Sequence, residues 1–231
     1  MPHLVITGAS AGIGAATADL FQSSGFNVVN LSRRPCPVEG VVNIACDLSQ
    51  QNFAEAISDD LDNALSGAQQ ITLIHNAALL INDNIADTSS EQLRRVLEIN
   101  IVAASSLNQL LIPKMAAGSG VLYVGSTLGE KAVPNSFTYA TSKHAVIGMM
   151  RATCQDLAGT GVHTVCINPG FTNTEMLRDH VPADVMPQIA AMSAFERLIE
   201  PEEIAQALLF AAHNPVLNGA VINANLGQIE R

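Results

Sequence analysis

The chain has 231 residues, of which 48% are apolar, and it carries a formal net charge of −10 at pH 7. This length and apolar content are enough for a folded domain with a sizeable core, and they exclude a disordered polymer. The acidic balance disfavours nucleic acid and anionic membranes as partners, because both are bound through basic patches. A strand-like pattern begins at residue 3 and leaves no room for a signal peptide, so we expect a cytoplasmic protein without a membrane segment.

The four cysteines and six histidines show no spacing typical of metal ligands or of paired disulfides. Cys36, Cys46, Cys154 and Cys166 lie in apolar or helical surroundings, which favours buried reduced thiols over a disulfide or a metal site. We therefore predict that the protein binds no metal.

Short apolar runs alternate with longer amphipathic stretches, which is typical of parallel strands joined by crossover helices. Each of the first six predicted strands is followed by a helical pattern, and the longest helices are predicted at residues 91–117 and 138–159. Without repeats or a linker, residues 1–231 predict one α/β domain, a doubly wound parallel sheet of about seven strands with helices on both faces. The predicted strands are residues 3–7, 27–31, 42–45, 71–75, 121–124, 162–167 and 220–223.

A glycine-rich loop joins the first strand to the first helix. Glycine lets the backbone turn sharply and approach a pyrophosphate closely, while a helix N-terminus offers unpaired N–H donors. The spacing differs from the G-x-G-x-x-G fingerprint, and a tight turn without any ligand is the alternative. We predict that this loop binds a nucleotide cofactor through Gly8, Ser10, Ala11, Gly12, Ile13 and Gly14.

The end of the second strand indicates which nicotinamide cofactor is preferred. An acidic residue at this point would accept hydrogen bonds from a ribose 2′-hydroxyl and would repel a 2′-phosphate. Ser32 and Arg33 offer the opposite chemistry, which predicts NADP(H) over NAD(H). The alternative is that the arginines are merely solvated, and it applies above all to Arg34.

The third and fourth strands end in two further candidate cofactor contacts. Asp47 and Leu48 follow the third strand, where the Asp47 carboxylate can accept from an adenine amino group or can cap a helix that begins there. Asn76, Ala77 and Ala78 follow the fourth strand, where small side chains would let the chain pass close to the cofactor ribose.

Tyr139 and Lys143 lie four residues apart on a predicted helix, and Ser126 lies upstream of them. Positions i and i+4 share one face of a helix, so the phenol and the ammonium can point into the same cleft. A nearby cation favours phenolate and lowers the tyrosine pKa from its ordinary value of about 10. A tyrosine in this setting can give a proton to a carbonyl oxygen or take one from an alcohol.

Residues 171–200 interrupt the alternation of strands and helices, because Pro182 and Pro187 separate short helical patterns there. The segment is rich in methionine and aromatic side chains, which suit an adaptable apolar pocket. Long insertions at the carboxyl end of a strand are often functional lids. We predict a substrate lid at about residues 171–200, with ordinary core packing as the alternative.

In order and spacing these motifs resemble the short-chain dehydrogenase/reductases, from residue 3 to about residue 227. The resemblance implies a Rossmann-type fold, nicotinamide chemistry and a catalytic group that comprises Ser126, Tyr139, Lys143 and Asn100. It also implies that the nicotinamide carboxamide is held by the segment with Pro169, Gly170, Thr172 and Thr174, although Thr174 can equally be a helix N-cap.

Each catalytic residue has a role that the resemblance implies. Ser126 would hydrogen-bond the substrate oxygen, and Tyr139 would be the general acid in reduction and the general base in oxidation. Lys143 would bind the nicotinamide ribose and lower the Tyr139 pKa, while Asn100 would help to hold a relay water through its backbone. Ala78 replaces a common glycine, and Ala11 stands where many NADP-using members carry a basic residue, so the 2′-phosphate would depend more on the second-strand arginine.

We therefore expect an NADPH-dependent carbonyl reductase or alcohol dehydrogenase that transfers a hydride between the nicotinamide and a ketone, aldehyde or secondary alcohol. An NADP(H)-binding sensor without turnover is the alternative, but it has no chemical need for the phenol. An epimerase or dehydratase acting on nucleotide sugars would need a larger C-terminal domain. The expected pocket is apolar and is formed by Leu128, Val133, Phe137, Phe171, Met176 and Met192.

The two longest predicted helices carry apolar residues on more than one face. Besides packing on the sheet, they could bury a stripe against a partner subunit, as members of the resembled family commonly do. We therefore expect a homodimer or a homotetramer.

Overall fold

The computed structural model describes residues 1–228, and its seven parallel strands form one sheet in the order β3-β2-β1-β4-β5-β6-β7. The strands are β1 (Pro2–Thr7), β2 (Asn27–Ser32), β3 (Val42–Ala45), β4 (Gln70–His75), β5 (Gly120–Val124), β6 (His163–Pro169) and β7 (Ala220–Ala224). All seven predicted strands are confirmed to within two residues at each end. The strand order reverses between β1 and β4, so a crevice opens at their carboxyl ends.

Helices cover both faces of the sheet, which confirms the doubly wound arrangement. On one face, α1 and α9 pack together through side chains such as Phe21 and Leu208. On the other face, α5 and α6 contribute Leu107 and Met150 to the core. The helices are α1 (Gly12–Ser23), α2 (Phe53–Ala56), α3 (Ser58–Ala64), α4 (Ser90–Leu97), α5 (Ala103–Leu111), α6 (Phe137–Asp156), α7 (Glu175–His180), α8 (Met186–Ala190) and α9 (Pro201–His213).

The prediction of a helix after each of the first six strands is wrong for β2. The nine residues between β2 and β3 form bends and turns without a helix. Pro35 and Pro37 cannot donate backbone hydrogen bonds, and Gly40 adopts a φ of +83°, which is the left-handed region. These three residues explain why the short connection cannot wind into a helix.

The predicted helix at residues 91–117 is one continuous helical stretch that changes its winding. It runs through α4, a π-helical turn at Glu98–Val102, α5 and a short 3₁₀ turn at Ile112–Lys114. The stretch ends where Met115 becomes extended. A π turn inserts one extra residue, so it rotates the face that α5 presents relative to α4.

The same stretch, Ser90–Lys114, is the one helix within residues 1–228 that is long and apolar enough to cross a membrane, by length and composition only. The sequence instead predicts a protein without a membrane segment. Its side chains Val96, Leu107 and Leu111 are fully buried, and the latter two belong to the core beneath the sheet. A core helix of this length passes the same test, so the finding is weak evidence for a membrane segment.

The segment after β6 carries α7 and α8 and returns to its starting point. The Ile199 backbone N–H donates to the Phe171 carbonyl over 2.9 Å, and the Asn173 N–H donates to the Ile199 carbonyl over 2.8 Å. These bonds join the two ends of residues 171–200, so the insertion leaves the sheet edge and comes back as a closed loop.

Candidate active site

A large cleft of about 1370 Å³ opens at the carboxyl ends of the strands. Every residue predicted to bind the cofactor lines it, from the glycine-rich loop to the segment after β6. Ser126 lines the same cleft, together with Tyr139 and Lys143. The predicted cofactor-binding residues that line the cleft are Gly8, Ser10, Ala11, Gly12, Ile13, Gly14, Ser32, Arg33, Asp47, Leu48, Asn76, Ala77, Ala78, Tyr139, Lys143, Pro169, Gly170, Thr172 and Thr174.

The glycine-rich loop is folded back so tightly that side chains do not fit. A Cβ atom added at Gly14 would lie 2.3 Å from the Gly8 carbonyl oxygen, and Gly8 itself has a φ of +73°. Asn76 fastens the loop, because its Nδ2 donates to the carbonyls of Thr7 and Gly8 over 2.9 and 3.1 Å. Among the described residues no side chain caps the N-terminus of α1, so its first N–H groups are available to an anion. This cradle fits the pyrophosphate of a dinucleotide.

The end of β2 places two arginines at the rim of the cleft. Arg33 is exposed and lies near Asp47, whose pKa is held below its usual value chiefly by hydrogen bonds from Ser49 and also by the Arg33 charge. Arg34 is ion-paired with Glu175 at the start of α7, with 3.0 Å between Nη2 and Oε2. The interpretation of Arg34 as merely solvated is therefore wrong.

Asp47 does not cap a helix, so that alternative is wrong. The helix that follows, α2, begins at Phe53 and has Asn52 at its N-cap. Instead, the Asp47 carboxylate accepts hydrogen bonds from the backbone N–H and the hydroxyl of Ser49 over 3.0 and 2.8 Å. This local turn holds Asp47 and Leu48 at the wall of the cleft, where an adenine group would lie.

Tyr139 and Lys143 lie on the buried face of α6 and are 8% and 3% exposed. The Lys143 Nζ donates to the Val124 carbonyl over 2.8 Å and lies 5.4 Å from the centre of the Tyr139 ring. Ser126 lies at the end of β5, where its Oγ accepts from the Leu128 N–H over 3.1 Å. The i, i+4 spacing therefore brings the phenol and the ammonium to one site, as predicted.

The prediction of a lowered Tyr139 pKa is wrong for this structure. Burial of the phenol raises the pKa of Tyr139 to about 12, although a hydrogen bond with Ser126 lowers it in part. Burial also lowers the pKa of Lys143 to about 8, because the buried ammonium is separated from water. Desolvation is the largest cause of both shifts, and the sequence spacing alone does not reveal it.

Asn100 lies in the π turn and does not line the large cleft. Its side chain accepts from the Leu79 N–H over 2.7 Å and donates to the Leu79 carbonyl and to Ser142 Oγ over 3.0 and 2.9 Å. It therefore ties the loop after β4 to α6, one residue before Lys143. Asn100, Lys143 and His75 border a small cavity of about 10 Å³, close to the space that one water needs.

Five of the six predicted pocket residues line the cleft, but Phe137 does not. Phe137 is the first residue of α6, two positions before Tyr139. Successive residues of a helix turn by about 100°, so two positions lead to nearly opposite faces. The residues that line the cleft as predicted are Leu128, Val133, Phe171, Met176 and Met192.

The helix α7 contacts both walls of the cleft. At its start, Thr174 caps it by accepting from the Leu177 N–H over 3.3 Å, which confirms the N-cap interpretation. The ion pair between Glu175 and Arg34 connects this helix to the wall of the cleft that the predicted cofactor-binding residues line. At its end, His180 Nε2 lies 3.0 Å from the Leu80 carbonyl oxygen, in the loop after β4. Residues 171–200 therefore lie across the cleft, where the predicted lid is expected.

Asp83 is a functional candidate that the sequence pattern does not indicate. It is 7% exposed, and its carboxylate accepts from the Thr138 N–H and from the Thr88 hydroxyl, both over 3.0 Å. It thus caps the helix that carries Tyr139 and Lys143. The sequence gives no signal for it, because Ser136 is itself a favoured N-cap residue and only the structure shows that its side chain does not cap α6.

A family comparison decides the identity of this fold and site. The model of the short chain dehydrogenases matches residues 2–184. The chain belongs to the short-chain dehydrogenase family. Short-chain dehydrogenases are oxidoreductases that bind a nicotinamide cofactor, act on small molecules and are typically oligomeric.

Individual members of the family resemble this short-chain dehydrogenase over most of its length. Cis-4-hydroxycyclohexanecarboxylate dehydrogenase of Sinomonas cyclohexanicum is 31% identical, with 90% of this chain and 88% of that protein covered. Carbonyl reductase family member 4 of Xenopus laevis is 26% identical, with 94% and 93% covered. A short chain dehydrogenase family protein from Francisella tularensis superimposes with a TM-score of 0.90 at 25% identity, with 98% of each chain covered.

Proposed function

We propose that this short-chain dehydrogenase is an NADPH-dependent carbonyl reductase that acts in reverse as an alcohol dehydrogenase. The observation that carries the proposal is the convergence of Ser126, Tyr139 and Lys143 on the cleft that also holds the glycine cradle. A binding module would need the cradle but not a buried phenol. The names of two relatives, a carbonyl reductase family member and a dehydrogenase of a hydroxy acid, support the same reaction class.

The reaction would be the reduction of a ketone or an aldehyde, or the oxidation of a secondary alcohol. The bound cofactor supplies or accepts the hydride. Ser126 would hold the substrate oxygen, and Tyr139 would give that oxygen a proton during reduction. Leu128, Phe171 and Met192 would bind an apolar part of the substrate and exclude water from the reacting atoms.

Lys143 would serve both the cofactor and the proton donor. Its ammonium bonds the Val124 carbonyl in this structure, within reach of the cleft wall where a ribose would lie. A cation beside the phenol favours the phenolate that remains after proton transfer. A water in the small cavity next to Asn100 and Lys143 would return a proton to the site. This arrangement gives Tyr139 a path for reprotonation that does not cross the substrate pocket.

The first test is Tyr139→Phe, with Tyr123→Phe as the matched control. The protein contains two tyrosines, and the Tyr123 hydroxyl bonds Asn108 instead of facing the large cleft; because Tyr123 also borders the small cavity, this variant controls for the loss of a buried phenol hydroxyl and not for the relay. NADPH oxidation should be measured with a panel of ketones and aldehydes, and NADPH affinity by titration calorimetry. Tyr139→Phe should lose turnover by about 10²-fold or more, as expected for loss of a general acid, and should keep NADPH affinity.

Two results would contradict the proposal. Substantial turnover by Tyr139→Phe would remove the phenol from the mechanism. Tight NADPH binding by the wild-type protein without turnover of any carbonyl compound would favour an NADP(H)-binding sensor or regulatory protein.

The preference for NADPH is proposed from Arg33, which is exposed at the cleft rim with no acidic residue beside it in β2. Arg33→Asp should raise KM for NADPH by about tenfold to a hundredfold, because it removes a charge-assisted bond and adds repulsion. KM for NADH should change little or fall. Arg94→Asp makes the same charge change on α4, away from the cleft, and should leave the ratio of the KM for NADPH to the KM for NADH unaltered. If Arg33→Asp left this KM ratio unchanged, the proposal that Arg33 selects NADPH would be wrong.

We further propose that the protein forms a homodimer or a homotetramer. The edge strand β7 is only half-buried along its length. Large apolar side chains are also exposed in the segments that precede β7 in the chain, since Phe210 on α9 is 61% and Val216 is 88% exposed. These features support a self-association surface.

A further inference from the structure

The backbone of Ser126 is held by a buried side chain of the neighbouring strand. Asn168, near the end of β6, is 0% exposed, and its Oδ1 accepts from the Ser126 N–H over 3.1 Å. The same oxygen lies 3.4 Å from the Cys166 sulfur. Asn168 does not line the large cleft, so it does not touch the ligands that the cleft would bind.

Asn168 also belongs to a chain of side-chain hydrogen bonds that closes into a ring through the backbone of residues 126–130. Its Nδ2 donates to Asn223 Oδ1 on β7 over 3.1 Å, and Asn223 Nδ2 donates to Glu130 Oε2 over 2.8 Å. Ser126 and Glu130 flank the 3₁₀ turn at Thr127–Gly129 on either side. The ring therefore holds both ends of the short turn that carries the serine, and it connects them to β6 and β7.

The backbone before Ser126 packs closely against Asn168 and Cys166. A Cβ atom added at Gly125, the residue before Ser126, would lie only 2.0 Å from Asn168 Oδ1 and 2.8 Å from the Cys166 sulfur. The chain therefore passes directly over the Asn168 amide. A smaller side chain at position 168 would leave the Ser126 N–H without this partner in a partly buried site, which costs stability.

We propose that Asn168 is a positioning residue for catalysis, which sets the location of Ser126 and, through it, the hydroxyl that faces Tyr139. The inference rests on the proposed function, because Ser126 matters only if it holds the reacting oxygen. Asn223 and Glu130 support the orientation of the Asn168 amide. The bond between Ser126 and the phenol depends on this placement, and its loss would make Tyr139 harder to ionise.

The test is a double-mutant cycle of Asn168→Ala and Ser126→Ala, measured with the best carbonyl compound of the panel. Asn168→Ala should lower kcat by about tenfold, as expected for a lost buried hydrogen bond, and leave KM for NADPH unchanged. In the Ser126→Ala background, the same substitution should lower kcat by less than about twofold, because Asn168 then has no serine to position.

Asn218→Ala is the matched control. Asn218 Oδ1 accepts from the Thr164 N–H over 2.8 Å, at the opposite end of β6 from Asn168. Removal of this bond should lower the thermal midpoint without changing kcat. Equal losses of kcat from Asn168→Ala with and without Ser126 would overturn the proposal, because a general loss of stability has that additive pattern.

A second readout keeps the proposal testable if the wild-type protein reduces no carbonyl compound. The chain has two tyrosines and no tryptophan, so Tyr123→Phe leaves Tyr139 as the only phenol. Its ionisation can be followed by tyrosinate absorption after rapid jumps to alkaline pH. In this background, Asn168→Ala and Ser126→Ala should each shift the ionisation of Tyr139 to higher pH by a similar amount. A shift with Ser126→Ala alone would overturn the positioning role.

Discussion

Lys143 is the clearest conflict between stability and function at the scale of one residue. Lys143 is 3% exposed, and its ammonium donates to the neutral Val124 carbonyl over 2.8 Å. Burial lowers the pKa of Lys143 to about 8, so the folded state holds a proton less firmly than the unfolded chain does. Such a cation costs stability in the absence of a ligand, and the proposed role at the cofactor ribose explains its presence.

Lys143→Met should therefore raise the thermal midpoint at neutral pH while it abolishes turnover. Between the folded pKa of about 8 and the ordinary 10.5, the unfolded state binds more protons, so wild-type stability rises with pH in that window. The difference in thermal midpoint between Lys143→Met and the wild-type protein should be largest below pH 8 and should disappear towards pH 10.5. Thermal unfolding of both proteins at several pH values tests this, and a difference independent of pH would contradict it.

The sequence predicts the reacting residues better than it predicts their electrostatics. The spacing of Tyr139 and Lys143 is a local property of one helix, so it survives folding unchanged. The Tyr139 pKa depends instead on how deeply the neighbouring strands and loops bury the phenol. Asn168 also escapes sequence reasoning, because its bond to Ser126 joins residues 42 positions apart.

At the scale of one element, Asp83 is essential to the start of α6. The helix has no side-chain cap from its own N-cap residue, Ser136. Asp83 replaces that cap across 55 residues and also links the loop after β4 to the loop before α6 through backbone bonds with Asn135 and Phe137. The first turn of α6, which carries Tyr139 and Lys143, is therefore stabilised by a carboxylate from another loop.

Asp83→Ala should destabilise the protein by about 0.5–2 kcal/mol, the usual cost of losing a helix cap. A domain of this size would then lose about 2–4 °C of thermal midpoint per kcal/mol. Asp87→Ala removes an exposed carboxylate of the same loop, which bonds only the Asn84 side chain, and should have little effect. Circular dichroism melts of both variants provide the measurement. Equal midpoints for the two variants would show that Asp83 does not stabilise the helix.

Elements with a strong local pattern are predicted well, and connections are not. The strands follow from apolar runs that no tertiary contact overrides. The helix expected after β2 fails because Pro35 and Pro37 break it, a local signal that the alternating pattern obscures. The π turn at Glu98–Val102 has no comparable signal, since four of its residues are ordinary helix or strand formers and one poor helix former, Asn100, does not indicate a π turn.

At the scale of the whole molecule, the proposed oligomer can be tested directly. Multi-angle light scattering at micromolar concentration should give a mass of at least twice the 24.3 kDa of the chain. Val216→Asp should lower that mass, because it introduces a charge at an exposed apolar position in the segment that precedes β7. Ile85→Asp is a matched control, since Ile85 is equally apolar and 73% exposed in the loop after β4. A wild-type monomer would reject the proposal.

The two attachments of α7 have a consequence for the timing of a catalytic cycle. Glu175 fastens the helix to Arg34 on the cofactor wall, and the ring of His180 fastens it to the loop after β4 on the substrate wall. We propose that residues 171–200 open as the predicted lid; because α7 is attached to both walls, one movement would uncover both halves of the cleft. We therefore expect the residence times of the spent cofactor and of the product to depend on one shared opening event.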